Sequence, residues 1–107
     1  MSEPRIGRVL KDFAPGAGNP RNSEGAFLKR KDGTLLFVFS RFVGTSARDH
    51  DTANIAAVRS SDGGETWSEP EDLFTSAGHE AVKIMSVSLM RMRNGDIGLF
   101  YLVRKTF

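Results

Sequence analysis

Apolar side chains in this chain recur in short runs rather than along one face of a helix. No window of a dozen residues keeps a helical apolar period. The apolar segments run to roughly 5–9 residues, are rich in Phe, Val, Leu and Ile, and are bounded by Gly, Pro and polar pairs, which is strand patterning. The pattern predicts strands at Ile6–Phe13, Gly25–Arg30, Thr34–Phe42, Ala53–Ser60, Trp67–Leu73, Lys83–Met92 and Asp96–Lys105, with loops at Ala14–Asn22 and Val43–Thr52. Lys31-Asp32-Gly33 and Arg93-Asn94-Gly95 are flanked by apolar runs, and Asp-Gly and Asn-Gly pairs in that setting mark tight hairpins. Leu35-Leu36-Phe37-Val38-Phe39 is apolar on both faces, so this strand is expected to be covered on both sides.

The two hairpins repeat one another. Ala26–Leu35 aligns with Ser88–Ile97, turn on turn, at an offset of 62 residues. One antiparallel sheet repeated every ~40–60 residues is the pattern of a β-propeller. The expected fold is therefore all-β: antiparallel blades of an incomplete propeller. Residues 1–20 form an N-terminal strand and loop, 21–76 a first blade, and 77–107 the first half of a second. A blade needs neighbours to bury its faces. The expectation is thus a piece of a longer propeller whose missing blades complete it, or a chain that self-assembles.

Composition narrows the function classes. The chain has 107 residues, 39% apolar and 26% charged, which suits one small globular domain. Cysteine is absent, so there is neither a disulfide framework nor a thiolate metal site, and the compartment stays open. The net charge is +2 and the basic residues are scattered, which gives no nucleic-acid footprint. No run approaches the ~18 apolar residues of a membrane span, and residues 1–20 hold no signal-peptide core.

Residues 60–67 read SSDGGETW. Gly63-Gly64 supply positive φ in a tight reversal. Asp62 is placed to accept hydrogen bonds from turn amides, Ser60 and Thr66 to bridge the turn, and Trp67 to lay an apolar plate on the sheet edge. Ser60-x-Asp62-x-Gly64-x-Thr66-Trp67 matches all five fixed positions of the Asp box, S-x-D-x-G-x-T-W, and resembles the hairpin repeated in sialidases and other propeller glycosidases. In that family the box lies on the propeller rim, away from the active centre, and Asp62 is read as structural. The resemblance covers about Arg21 to Pro70. The family has six blades, removes a terminal sialic acid from glycans, and needs no cofactor.

The resemblance also implies site residues. Sialidases use a Tyr nucleophile, a Glu that takes its proton, an Asp acid/base, and three Arg residues on the sugar carboxylate, a task that suits bidentate guanidinium pairing. By position the acid/base falls at Asp49, with Asp51 as the fallback, and Arg41 matches an Arg that contacts the sugar. The acid must be protonated when the bond breaks, and a like-charged neighbour such as Asp51 helps raise its pKa. Sialidases open this blade with R-I-P. Here the equivalent stretch is Ser23-Glu24-Gly25, and the nearest Arg is Arg21, two positions early. Either Arg21 fills the role, or Glu24 marks a relative with another sugar, hydrogen-bonding hydroxyls or serving as acid/base itself. A solvated turn carboxylate is the other reading of Glu24.

Other candidates are weaker. Asp49-His50-Asp51 are adjacent loop residues that do not readily all face one metal ion, and His79-Glu80 lacks zincin spacing. Tyr101 is expected in the core, aligned with Phe39, and Met85, Met90 and Met92 in blade packing. The nucleophile and the remaining arginines are not in this chain, so the chain alone is expected to be inactive. Two rivals remain open: another glycosidase or lyase on the same propeller, and a non-catalytic sugar-binding propeller.

Overall fold

The computed structural model describes residues 7–45, 48 and 51–106. Six strands form two antiparallel sheets. β1 (Asn22–Lys29), β2 (Leu35–Phe42), β3 (Ala53–Ser60) and β4 (Glu71–Phe74) pair in sequence order; β5 (Lys83–Arg91) and β6 (Ile97–Arg104) form a second, two-stranded sheet. The described residues hold no α-helix, only a 3-10 turn at Ala77–His79. The chain is all-β and antiparallel, as the apolar runs predict. The two sheets pack face to face and do not close on themselves.

The central strand explains the packing. β3 is buried almost throughout, and Ala53, Ala56 and Ala57 keep it thin enough to be covered on both faces. On one face Val38, Ile55 and Ala57 meet Ile84 of the second sheet, with Val87, Leu89, Leu99, Tyr101 and Val103 around them. On the other, Phe39, Ala56 and Val58 carry Phe13, Phe37 and Trp67. Each fully buried side chain of this size contributes about 1.5–3 kcal/mol. The expectation that β2 is covered on both sides holds.

The sequence repeat is a structural repeat. β2 and β6 correspond residue for residue at the 62-residue offset. Both hairpins carry a bulge at the same place, between Ser23 and Gly25 and between Met85 and Ser88. Glu24 (φ 43°) and Ser86 (φ 62°) occupy it in equivalent left-handed conformations. The turns match as well. Asp32 accepts from the Thr34 amide at 3.0 Å, and Asn94 accepts from the Asp96 amide at 3.0 Å, with Gly33 and Gly95 at φ 89° and 93°. These are Asx turns, which explains why Asp and Asn alternate there.

Equivalent residues touch where β1 runs beside β5. Ser86 donates its amide to Glu24 Oε2 at 3.1 Å, and Arg91 Nη2 donates to the Lys29 carbonyl at 2.5 Å. Both pairs are 62 residues apart. β1 and β4 are the two edges of the first sheet, and β1 is the edge that runs beside β5.

Two expected elements differ. The strand expected at Ile6–Phe13 is absent over residues 7–13. This segment crosses the face of the sheet instead of joining an edge: Phe13 sits 5.7 Å from Phe37 and 5.2 Å from Phe39, and its carbonyl accepts from Asn22 Nδ2 at 2.9 Å. Only Phe13 of its described apolar side chains is partly buried; Val9 and Leu10 stay exposed, so what holds the segment is the Phe13 contact rather than a ladder. The strand expected at Trp67–Leu73 begins only at Glu71, because Trp67 folds back onto the turn and Pro70 has no N–H to offer a ladder.

Candidate functional site

The strand ends sort the candidate residues into two groups. Eight-residue strands place the groups roughly 25 Å apart. At one end lie the hairpin turns and residues 60–67. Ser60, nearly fully buried, donates to Asp62 Oδ1 at 2.8 Å and accepts from the Gly64 amide at 2.8 Å. Asp62 accepts from the Thr66 amide at 2.9 Å and the Thr66 hydroxyl at 2.5 Å, and Trp67 Nε1 donates to the Gly64 carbonyl at 2.8 Å. Gly63 and Gly64 stand at φ 74° and 96°. The hydroxyl and amide of Thr66, with the Ser60 hydroxyl, hold the Asp62 carboxyl down to about 2. Every polar atom of the motif named here serves the turn.

At the opposite end the start of β1, the end of β2, the start of β5 and the end of β6 converge on a cleft of about 270 Å³. Arg21, Glu24, Ser40, Phe42, Lys83 and Arg104 line it. Asn19 fixes the entry of the chain: its Nδ2 lies 2.7 Å from the Phe42 carbonyl and 3.2 Å from the Arg21 carbonyl. Phe42 donates its amide to the Arg21 carbonyl at 2.9 Å. That bond sets the Arg21 guanidinium 4.8 Å from the Phe42 ring, while Lys83 Nζ lies 4.3 Å from the same ring. Lys83 is only 1% exposed. A desolvated ammonium over an aromatic face gains about 2 kcal/mol from the ring quadrupole. Ser40 Oγ, also buried, has no hydrogen-bond partner among the described residues. The cleft thus combines three cationic side chains, an aromatic floor and an unsatisfied hydroxyl, a combination that suits an anionic, hydroxyl-bearing ligand.

The expected site residues divide accordingly. Arg21 and Glu24 are in the cleft. Glu24 is held there by the Ser86 amide and hydroxyl, at 3.1 and 3.3 Å. Arg41 is not among the cleft-lining residues: strand alternation puts it on the other face of β2, with Nη1 3.8 Å from Asp72 Oδ1 and Nε buried without a partner among the described residues. Asp51 lies in the β2–β3 loop at the cleft end, where its Oδ2 accepts from the Arg48 amide at 3.1 Å and from Arg48 Nε at 3.3 Å. Asp49 and His50 lie outside the described residues. Tyr101 packs in the inter-sheet core; its hydroxyl is 2.7 Å from His79 Nε2 and its ring stacks on Phe74.

Sequence reasoning missed Ser40, Phe42, Lys83 and Arg104. The signal for one of them, Lys83, was present in the repeat. The 62-residue offset carries Arg21 onto Lys83, so the second hairpin opens with a cation where the first does, and both reach one ring.

No protein-family model matches this chain, and none of the curated proteins matches it significantly.

Proposed function

We propose that the chain is part of an Asp-box β-propeller of the sialidase type, in which sheet β1–β4 is one blade and β5–β6 the inner half of the next. The parent activity is hydrolysis of a terminal sialic acid from a glycan. The reading draws support from the turn chemistry of residues 60–67 and from the repeat whose equivalent residues meet along β1 and β5. One observation carries the acidic-sugar part: Arg21, Lys83 and Arg104 gather around Phe42 at the strand ends opposite the Asp box.

In this reading the cations hold the sugar carboxylate and Ser40 Oγ meets a ring hydroxyl. Asp49, in the loop at the same end, protonates the leaving glycosidic oxygen, with Asp51 as its fallback. The only tyrosine is engaged with His79 in the core, so the chain alone supplies no nucleophile and has no turnover. A second reading follows from Glu24 standing where the family places a carboxylate-binding Arg. It is a glycosidase or lyase of the same architecture that acts on another sugar.

The test is a titration of the isotope-labelled chain with a methyl α-sialoside and with methyl galactoside, followed by amide chemical shifts. Saturable shifts at Arg21, Ser40 and Lys83 with the sialoside alone are expected. Equal shifts with the neutral sugar favour the second reading. Silence with both overturns the assignment of the cleft.

A further inference from the structure

The two sheets of this molecule expose complementary apolar surfaces that the repeat itself relates. Sheet β1–β4 presents Leu36 and Val38, with Ala26 and Leu28 of β1, to the second sheet. The 62-residue offset carries Val38 to Phe100, Ser40 to Leu102, Ala26 to Ser88 and Leu28 to Met90. Val38 and Ser40 are each 1% exposed; Phe100 and Leu102 are 52% and 53% exposed, and Met90 is exposed too. The second sheet thus repeats a covered face as an open one.

The covering surface is repeated as well. Leu89, Leu99 and Tyr101 pack on the first sheet, and their equivalents there are Phe27, Phe37 and Phe39. Residues 8–13 occupy part of that face. Val9 and Leu10 of that segment, with Phe27, Leu35, Phe37 and Trp67, line an open apolar cleft of about 360 Å³. Val9 is 84% and Phe27 64% exposed. Most of the large exposed hydrophobics of the described residues fall on these two surfaces, Phe74 and Met92 being the others.

We propose that these surfaces bind one another between copies of this chain. The Phe100–Leu102–Met90 face of one copy docks on the Val9–Phe27 face of the next, repeating between chains the packing already present within one. The contact is heterologous, head to tail, and it closes a ring if the rotation permits. The argument for a second copy as occupant is this continuity: the chain carries on its first sheet the counterpart of the surface that already covers that kind of face. The inference is independent of any sugar, so its failure leaves the ligand assignment of the cleft untouched.

The experiment is sedimentation velocity on the full chain, on Phe100→Glu, on Val9→Glu with Phe27→Glu, and on an equimolar mixture of the two variants. The wild type is expected to sediment as a multiple of 11.8 kDa. Each variant, with its far-UV circular dichroism retained, is expected to lose self-association at least about tenfold, since a buried charge disrupts an apolar contact. The mixture is expected to form a 1:1 heterodimer, because each variant keeps the face the other lacks. A monomeric wild type overturns the proposal. So do variants that associate unchanged, or dissociated variants whose mixture fails to pair, which marks a symmetric contact instead.

Discussion

The two hairpins share one plan and meet different fates. β1–β2 continues into β3 and β4, and its inner strand β2 is covered on both faces. β5–β6 is covered on one face and presents Met90, Phe100 and Leu102 to solvent on the other. The turns, the bulge and the Asx hydrogen bonds are the same in both. The difference teaches that local sequence sets the hairpin, while burial depends on what is stacked against it. Val38 and its larger counterpart Phe100 show this: the smaller side chain is the buried one.

Truncation of one phenylalanine in each sheet sharpens that contrast. The largest effect is expected in the first sheet: Phe39→Ala, on a ring packed against Phe13 and Phe37, lowers stability by about 3–5 kcal/mol. Phe100→Ala, measured by urea denaturation at concentrations that keep the chain monomeric, stays within about 0.5 kcal/mol. Comparable losses at both sites would break the contrast, because they would mean that the Phe100 face is already covered within one molecule.

Gly25 gives a smaller effect of opposite logic. A Cβ there would lie 2.3 Å from the Phe37 ring and 3.0 Å from the Val38 carbonyl. Gly25→Ala is therefore expected to cost about 1–3 kcal/mol through overpacking. The equivalent position in the second sheet carries Val87, whose side chain packs on the inter-sheet core, so there truncation rather than addition destabilises. Urea midpoints of Gly25→Ala and Val87→Ala check both signs.

The finest distinction between the sheets is acid response. The Asp62 carboxyl is held down to about 2 from an ordinary value of 3.8. A depressed folded-state pKa makes the carboxylate a source of stability above the unfolded value, lost as pH falls through the folded one. The Asp-box turn should therefore weaken between about pH 4 and pH 2, followed by Trp67 fluorescence, while the Asn94 turn, the counterpart of the Asp32 turn, is closed by an uncharged acceptor. Asp62→Asn should abolish the acid step in the Trp67 signal. A step that persists in the variant would assign it to another carboxylate.

The legible parts of the sequence are those governed by neighbours in the chain. Ala53–Ser60 forms a strand with the bounds that the pattern predicts, and both glycine turns fall where Asp-Gly and Asn-Gly place them. The start of β1 was hidden, because the bulge at Glu24 shifts the register by one residue and breaks the alternation that marks a strand. The candidate site was legible in Arg21 and Glu24 and hidden in Lys83, which reads as a surface lysine until the second sheet brings it over Phe42.

By itself the sequence determined the all-β character, the hairpin turns, the 62-residue repeat and the hydrogen-bonding logic of residues 60–67. All of these rest on contacts within a few residues or on alternation along one strand. Only the tertiary structure decided which faces are buried, that residues 7–13 pack as a cover rather than a strand, that Arg41 pairs with Asp72 away from the cleft, and that Arg21 and Lys83 share one aromatic ring. These depend on sheet stacking, in which residues far apart in sequence meet through shape and desolvation, and neither leaves a period in the chain.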